Sequence, residues 1–450
     1  MVSRALQNRA EQLAVEALSW LVDQGRPAGA ALVWPNRPSE GENDPMLYSG
    51  AAGIALTLLE AYGHFGDERH AERALRAGRG LVAVVDDEWD NSSLYFGLTG
   101  IAVALHAIHE QLGDPRAGAA ARRAIDTVRR RFDGHRWGPQ VDLLGGNAGI
   151  ALGALAVGDP ELALMAVTPF LSTAEPTRHG VQWETRQGRV ARQHHVSHGT
   201  LGVVAALAAV GRATDRTDLL ELALAGADDV VSRDEAGPDG FLVPHSDPPD
   251  RPELIDRYNF GWCQGPAGDA QVFRLLQREF GEPRFARLVD RCWYTVTHCG
   301  LPRRLRPGFW DNNGHCCGTA GVLALACDLL AADAPGAGSA ADIPGAGSAD
   351  DIPDAGSADD GAGVDFADVL VADLADRATR GAAGCRWSNV EHRVTPSILE
   401  PRTGWAMGSA GIVRELLRYA RIGTDRDPGY RVAWPDQPAQ RFSPTGSAER

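Results

Sequence analysis

Three of the chain's seven cysteines share one position relative to paired glycines. Cys263 stands two residues before Gly265 in "GWCQGPAG", and Cys316 and Cys317 stand two and one before Gly318 in "NGHCCGTAG". Thiolate sulfur is a strong zinc ligand, and a catalytic zinc takes three protein ligands and keeps a fourth position open. The competing reading is a set of small buried thiols, where most free cysteines sit. That reading suits Cys292 and Cys327 better, because both lie inside helical runs. His198, in "HVSHGTLG", immediately precedes a further Gly-x-x-Gly step, which places it at the same height as the cysteines. A histidine there can take and return protons; the plain alternative is a helix cap. His194 and His195 are expected on a solvated loop.

Such residues need a frame that brings distant segments together, and the sequence contains one. Seven Gly-x-x-Gly steps, starting at Gly50, Gly97, Gly146, Gly199, Gly265, Gly318 and Gly408, each open a small or apolar run such as "GIALTLLEAY". Most fall about 50 residues apart, room for two helices and their loops, and a repeat of that length marks a helical array. The intervening helices, such as "RAGAAARRAIDTVRRRF", carry one apolar face opposite arginines and acids. Runs apolar nearly all round alternate with runs wet on one face, which predicts an all-α fold. Its form is an α/α toroid (barrel) of seven helical hairpins, with inner and outer rings of seven helices each. A linear solenoid explains the repeat but not the thorough apolarity of alternate helices.

Composition limits the partners. The formal net charge is −15 over 450 residues, which argues against nucleic acid, since phosphate binding needs a basic face. No apolar run reaches the roughly 18 residues of a membrane span, and the N-terminus lacks a signal-peptide core. A cytoplasmic protein with reduced thiols is expected, and an odd cysteine count agrees. Residues 331–363 nearly repeat the unit "DIPGAGSAD" and carry seven aspartates without a basic or aromatic residue. They are expected to be a disordered acidic insert within a single domain spanning 1–424, with 425–450 a loose Pro-rich tail.

The repeats, the Trp-Cys-x-Gly at the fifth step and the Cys-x-Gly at the sixth resemble the lanthionine synthetase C-like family, over about 48–420. The resemblance implies an α/α toroid with a central zinc, held here by Cys263, Cys316 and Cys317. It implies a reaction in which a cysteine thiol adds to dehydroalanine or dehydrobutyrine and closes a thioether ring. It implies that His198 is the acid–base group, and that Asp142, four residues before Gly146 in "VDLLGGNAG", matches a functional aspartate of the family. Asp142 would orient His198 or receive the thiol proton, unless it is an ordinary loop residue. The usual family motif is Cys-His-Gly, whereas this chain has Cys-Cys-Gly; His315 becomes a ligand only if the local register shifts. Asn259 stands where many peptide cyclases have an arginine, with Arg257 close by, and Gln264 where tyrosine or histidine is common.

The leading expectation is a stand-alone cyclase for a dehydrated precursor peptide, with dehydration left to a separate dehydratase or kinase-like enzyme. Addition of a small free thiol to dehydroamino acids is the second reading, and a non-catalytic zinc scaffold the third. A toroidal glycosidase would need paired carboxylates at the mouth, where thiols cluster instead.

Overall fold

The computed structural model describes residues 3–303, 312–332, 360–391, 394–432 and 434–435. Among these are fifteen helices. The first eight are α1 (Arg4–Asp23), α2 (Ala51–Phe65), α3 (Glu68–Asp86), α4 (Leu98–Leu112), α5 (Pro115–Arg130), α6 (Asn147–Ala156), α7 (Pro160–Val167) and α8 (Phe170–Thr173). The rest are α9 (Thr200–Ala213), α10 (Thr217–Val231), α11 (Pro266–Phe280), α12 (Pro283–His298), α13 (Thr319–Ala332), α14 (Asp360–Arg377) and α15 (Ser409–Tyr419). The helices that open at glycine steps pack side by side in the cyclic order α2, α4, α6, α9, α11, α13, α15 and back to α2. Each carries one outer partner: α3, α5, α7, α10, α12, α14 and, for α15, the N-terminal α1. The ring closes as an α/α toroid, and a linear solenoid is excluded.

Local chemistry sets the hairpins. Inner helices α2 and α4 end at Gly66 (φ 66°) and Gly113 (φ 69°), left-handed positions that glycine occupies without a Cβ clash. An aspartate follows each at once: Asp67 accepts from the Arg69 amide at 3.0 Å, and Asp114 from the Arg116 amide at 2.8 Å. A glycine stop joined to an aspartate cap makes a tight reversal into the outer helix. Outer helices bury one stripe, as α5 does with Ala117, Ala121, Ala124 and Val128, whereas Ala51–Ala61 of α2 are all buried.

The inner ring is not purely apolar. Arg414, Glu415 and Arg418 of α15 are buried, and Arg418 with Arg274 pairs with the buried Asp328. Arg421 pairs with Glu60 at 2.5 Å. Buried charges are tolerated only when satisfied, and residues 427–432 help to satisfy these. The amides of Arg431 and Val432 donate to Glu60 Oε2 at 2.9 and 3.3 Å, and Tyr430 Oη donates to Glu415 at 2.9 Å. Trp434 is 1% exposed and stacks on Trp405 with ring centres 4.6 Å apart. The described part of the expected loose tail is thus packed, through Val432 and at Trp434; residues 433 and 436–450 lie outside the described residues. The insert's expected bounds also shift, because α13 runs to Ala332 and α14 begins at Asp360. Residues 333–359 lie outside the described residues.

Candidate metal centre and acid–base pair

Each glycine step is preceded by a loop that folds back onto the helix it opens. A Cβ on Gly268 would stand 1.8 Å from the Trp262 carbonyl oxygen, and one on Gly321 2.0 Å from that of His315. Only glycine permits that approach, although φ at the preceding step residues is ordinary extended backbone. The fold-back brings the residue two before each step to the mouth of the ring, where a closed circuit of backbone hydrogen bonds forms. The amides of Tyr48, Tyr95, Leu144, Ser197, Cys263, Cys316 and Ala406 each donate to the carbonyl of the next, and Ala406 donates back to Tyr48, at 2.8–3.3 Å. The seven repeats are thereby locked in register at one height.

Cys263 and Cys316 are adjacent members of this circuit, and their sulfurs converge with that of Cys317. Cys263 Sγ lies 3.0 Å from Cys317 Sγ, and Cys317 Sγ 3.4 Å from Cys316 Sγ. All three lie within 4.8 Å of one another, and among the described residues they are the one such group of potential metal ligands. Thiolates bound tetrahedrally at about 2.3 Å from zinc stand about 3.8 Å apart, so small outward shifts admit the ion. The thiols titrate as a unit. Hydrogen bonding with Cys263 and Cys316 pulls Cys317 well below its ordinary value, whereas hydrogen bonding with Cys316 and Cys317, with burial, pushes Cys263 well up. Seven helix N-termini face this mouth and favour negative charge there. Donor chemistry, convergence and burial fit a zinc ion. Cys292 and Cys327, inside α12 and α13, are buried thiols that desolvation pushes up, as inert thiols are.

The next circuit member beyond Cys263 is Ser197, whose neighbour His198 is the sequence-predicted acid–base group. His198 Nδ1 lies 2.8 Å from Asp142 Oδ2, and the Asp142 side chain is fully buried. The other carboxylate oxygen accepts from the Gly145 amide at 2.7 Å, and Arg186 Nε stands 3.7 Å from Oδ2. The carboxylate is thus fixed from two sides, and the His198 side chain keeps 19% exposure toward the mouth. Thr185 Oγ1 donates to the His198 carbonyl at 2.5 Å and anchors the backbone.

Several expectations change. His194 and His195 are buried, not solvated. His195 Nδ1 meets the buried Asp269 at 2.8 Å, and burial pushes His194 down to about 2. His315 lies outside the sulfur group and points into an aromatic cluster, 4.4 Å from Trp405 and 5.9 Å from Trp262 between ring centres. Asn259 accepts from the Gly261 amide at 2.8 Å, the turn that Asn91 and Asn312 make before their own steps. Arg257 faces outward in an ion pair with Glu235 at 2.6 Å, and Gln264 Nε2 donates to Ser197 Oγ at 3.2 Å.

Two residues of the mouth escaped the sequence reading. Burial, followed by the charges of Cys316 and Cys317, raises the Tyr48 phenol well above the usual value. Arg402 is near enough to Cys317 for its charge to help pull that thiol down. Tyr48 stands two residues before Gly50, as Cys263 does before Gly265, so the register itself was a signal.

Comparison with known proteins places this arrangement. The profile of the family described as lanthionine synthetase C-like protein matches residues 41–251 and 250–337. The chain belongs to that family. Its fold is similar to that of nisin cyclase, with a TM-score of 0.60 at 15% identity over 88% of this chain and 92% of that one. An α-1,6-mannanase from Salegentibacter sp. HEL1_6 aligns at TM-score 0.48 and 12% identity, over 92% of this chain and 98% of that one. An unsaturated glucuronyl hydrolase from Bacillus sp. GL1 aligns at 0.48 and 17%, over 82% and 95%. No curated protein sequence matches the chain. No helix among the described residues is long and apolar enough to cross a membrane.

Proposed function

We propose that this protein closes thioether rings in a dehydrated precursor peptide, by adding a cysteine thiol to dehydroalanine or dehydrobutyrine. The observation that carries the proposal is the convergence of Cys263, Cys316 and Cys317 one repeat away from a His198–Asp142 pair, in a chain of this family. Zinc held by the three cysteines would supply Lewis-acid activation of the incoming thiol at its open position. The remaining work falls to the chain's own residues. Asp142 holds His198 through Nδ1, which leaves Nε2 free to take the thiol proton. The sulfur then bonds to the β-carbon while the double-bond electrons move onto the acyl group. Protonation at the α-carbon, from His198 Nε2–H, completes an addition that changes no mass. General acid–base assistance of this kind typically contributes about 10²–10⁴-fold.

A peptide is favoured over a small thiol in this reading, because a cysteine and a dehydroamino acid held on one chain meet at high effective concentration. Competition tests this. A peptide with one dehydroalanine and one cysteine is supplied with an excess of small thiol, and products are weighed after thiol alkylation. Cyclisation leaves the mass unchanged and removes the alkylatable cysteine. Predominant mass gain by small-thiol addition would refute the peptide reading, and neither product would leave a scaffold.

A further inference from the structure

After α15 the chain turns back, and residues 427–432 run along that helix toward the mouth. Arg421 Nε donates to the Asp427 carbonyl at 3.1 Å, and its Nη2 to that of Gly429 at 2.8 Å. Arg418 Nε donates to the Pro428 carbonyl at 3.1 Å, and Tyr430 Oη to Glu415 at 2.9 Å. Arg414 Nη2 donates to the Val432 carbonyl at 2.8 Å. The segment's numbers thus rise as those of its partners fall from 421 to 414. Trp434 ends the climb, with Nε1 donating to Tyr95 Oη at 3.3 Å and its ring stacked on Trp405.

Trp405 belongs to the layer directly behind the sulfurs. It precedes Ala406 of the backbone circuit, as Trp262 precedes Cys263 and His315 precedes Cys316. The Trp405 ring lies 5.6 Å from Trp262 and 4.4 Å from His315 between centres. Each of the three packs against the second glycine of the next step, where an added Cβ would stand 3.0–3.2 Å from its own. Layers packed this closely pass on displacement. Trp434 therefore braces one side of a layer whose residues lead straight into two of the three cysteines.

The seat of the segment is charged where other inner helices are apolar. Ile150 to Leu155 of α6 are all apolar or glycine and buried, whereas α15 buries Arg414, Glu415 and Arg418. Ion pairs that do not involve the segment, Arg421 with Glu60 at 2.5 Å and Arg274 with Asp328 at 2.8 Å, hold this wall. Water can hydrate such a wall when the segment leaves, and a chain end leaves without breaking any other connection.

We propose that seating of the C-terminal segment and metal binding at the cysteines are coupled through Trp434 and Trp405. The seated segment holds the cysteines in their binding geometry, and the bound metal holds the segment seated. This rests on the reading of the three cysteines as a metal centre and is independent of the substrate. Such coupling is reciprocal, so one factor, commonly about 5–150-fold, describes both effects.

Full-length protein tests this without turnover. Zinc affinity, from competition against a chelator at pH 7, is compared in wild type, Trp434→Ala, Trp434→Leu, Trp434→Phe and Val128→Ala, the last at a buried position of α5. Hydrogen exchange is followed, with and without zinc, at the Arg431 and Val432 amides, which donate to Glu60 in the seated segment. Trp434→Ala and Trp434→Leu are expected to weaken zinc binding by about 10-fold, and Trp434→Phe, which keeps a stacking ring, by no more than about 3-fold. Trp434→Leu keeps more of the volume and stays readable if Trp434→Ala does not fold. Val128→Ala should lower the melting temperature and leave zinc affinity unchanged. In wild type, zinc should slow exchange at the two amides by about the factor that Trp434→Ala costs in affinity. Wild-type affinity in both Trp434→Ala and Trp434→Leu would overturn this proposal alone. Equal weakening in Val128→Ala, the mark of a general stability effect, would overturn it too, as would exchange that zinc leaves unchanged. A wild-type protein that binds no zinc would overturn the metal centre and this proposal together.

Discussion

Asp142→Asn isolates the acid–base pair from the metal centre. The asparagine matches aspartate in volume, and its oxygen can still accept from the Gly145 amide, which Asp142 Oδ1 now does at 2.7 Å. A buried amide therefore keeps its partner, and the cost of about 1–3 kcal/mol for orphaning it is avoided. The change falls on the other oxygen, 2.8 Å from His198 Nδ1. An amide NH₂ at that place donates to Nδ1, so a neutral imidazole must carry its proton on Nε2. Nε2 then cannot take the thiol proton. Turnover should drop by about 10²–10⁴-fold, the usual share of general acid–base catalysis. Zinc content should stay at wild type, because Asp142 does not belong to the sulfur group. Single-turnover cyclisation of a dehydrated peptide, quenched and alkylated, measures the rate; metal analysis of the same sample measures zinc. A wild-type rate at full zinc occupancy would refute the reasoning, and so would a rate that falls only in step with lost zinc.

Three further outcomes are expected. Cys263→Ala, Cys316→Ala and Cys317→Ala should each lose most of the approximately one zinc per chain expected for a three-cysteine site, as metal analysis would show; full occupancy in all three would remove the site. Replacing residues 334–358 with a short Gly-Ser linker should preserve zinc content and cyclisation rate, because α13 carries the chain about 20 Å from the cysteines before Ala332; a tenfold slower, zinc-replete variant would contradict this. Trp434→Ala should destabilise the fold by about 3–5 kcal/mol in chemical denaturation, since it removes a buried ring stacked on Trp405, and an unchanged midpoint would show the tail to be dispensable.

What the sequence revealed is what repeats. Each Gly-x-x-Gly step fixes the height of the residues before it, so Cys263, Cys316, Cys317 and His198 could be placed at one mouth from spacing alone. The closed circuit of backbone hydrogen bonds is the physical form of that register. Asp142 follows a different spacing, and only the resemblance singled it out. Tyr48 was legible by the same register as the cysteines, but a tyrosine at that height announces no chemistry of its own. Contacts between chain ends were not legible. The pairing of α1 with α15, and of Trp434 with Tyr95 and Trp405, joins segments whose periodicity says nothing of one another. Burial of His195 likewise goes with a partner distant in sequence, Asp269 of α11.

The most direct test of the account is the metal dependence of ring closure itself. Purified protein is stripped with a chelator, divided, and incubated with a dehydrated cysteine-containing peptide either without metal or after one equivalent of zinc. Alkylation and mass spectrometry then count the remaining thiols. The account predicts unmodified cysteines with the stripped protein and mass-neutral loss of alkylatable cysteine on restoring zinc, with Cys317→Ala failing to recover. Equal ring closure by the stripped and the zinc-restored protein would contradict it.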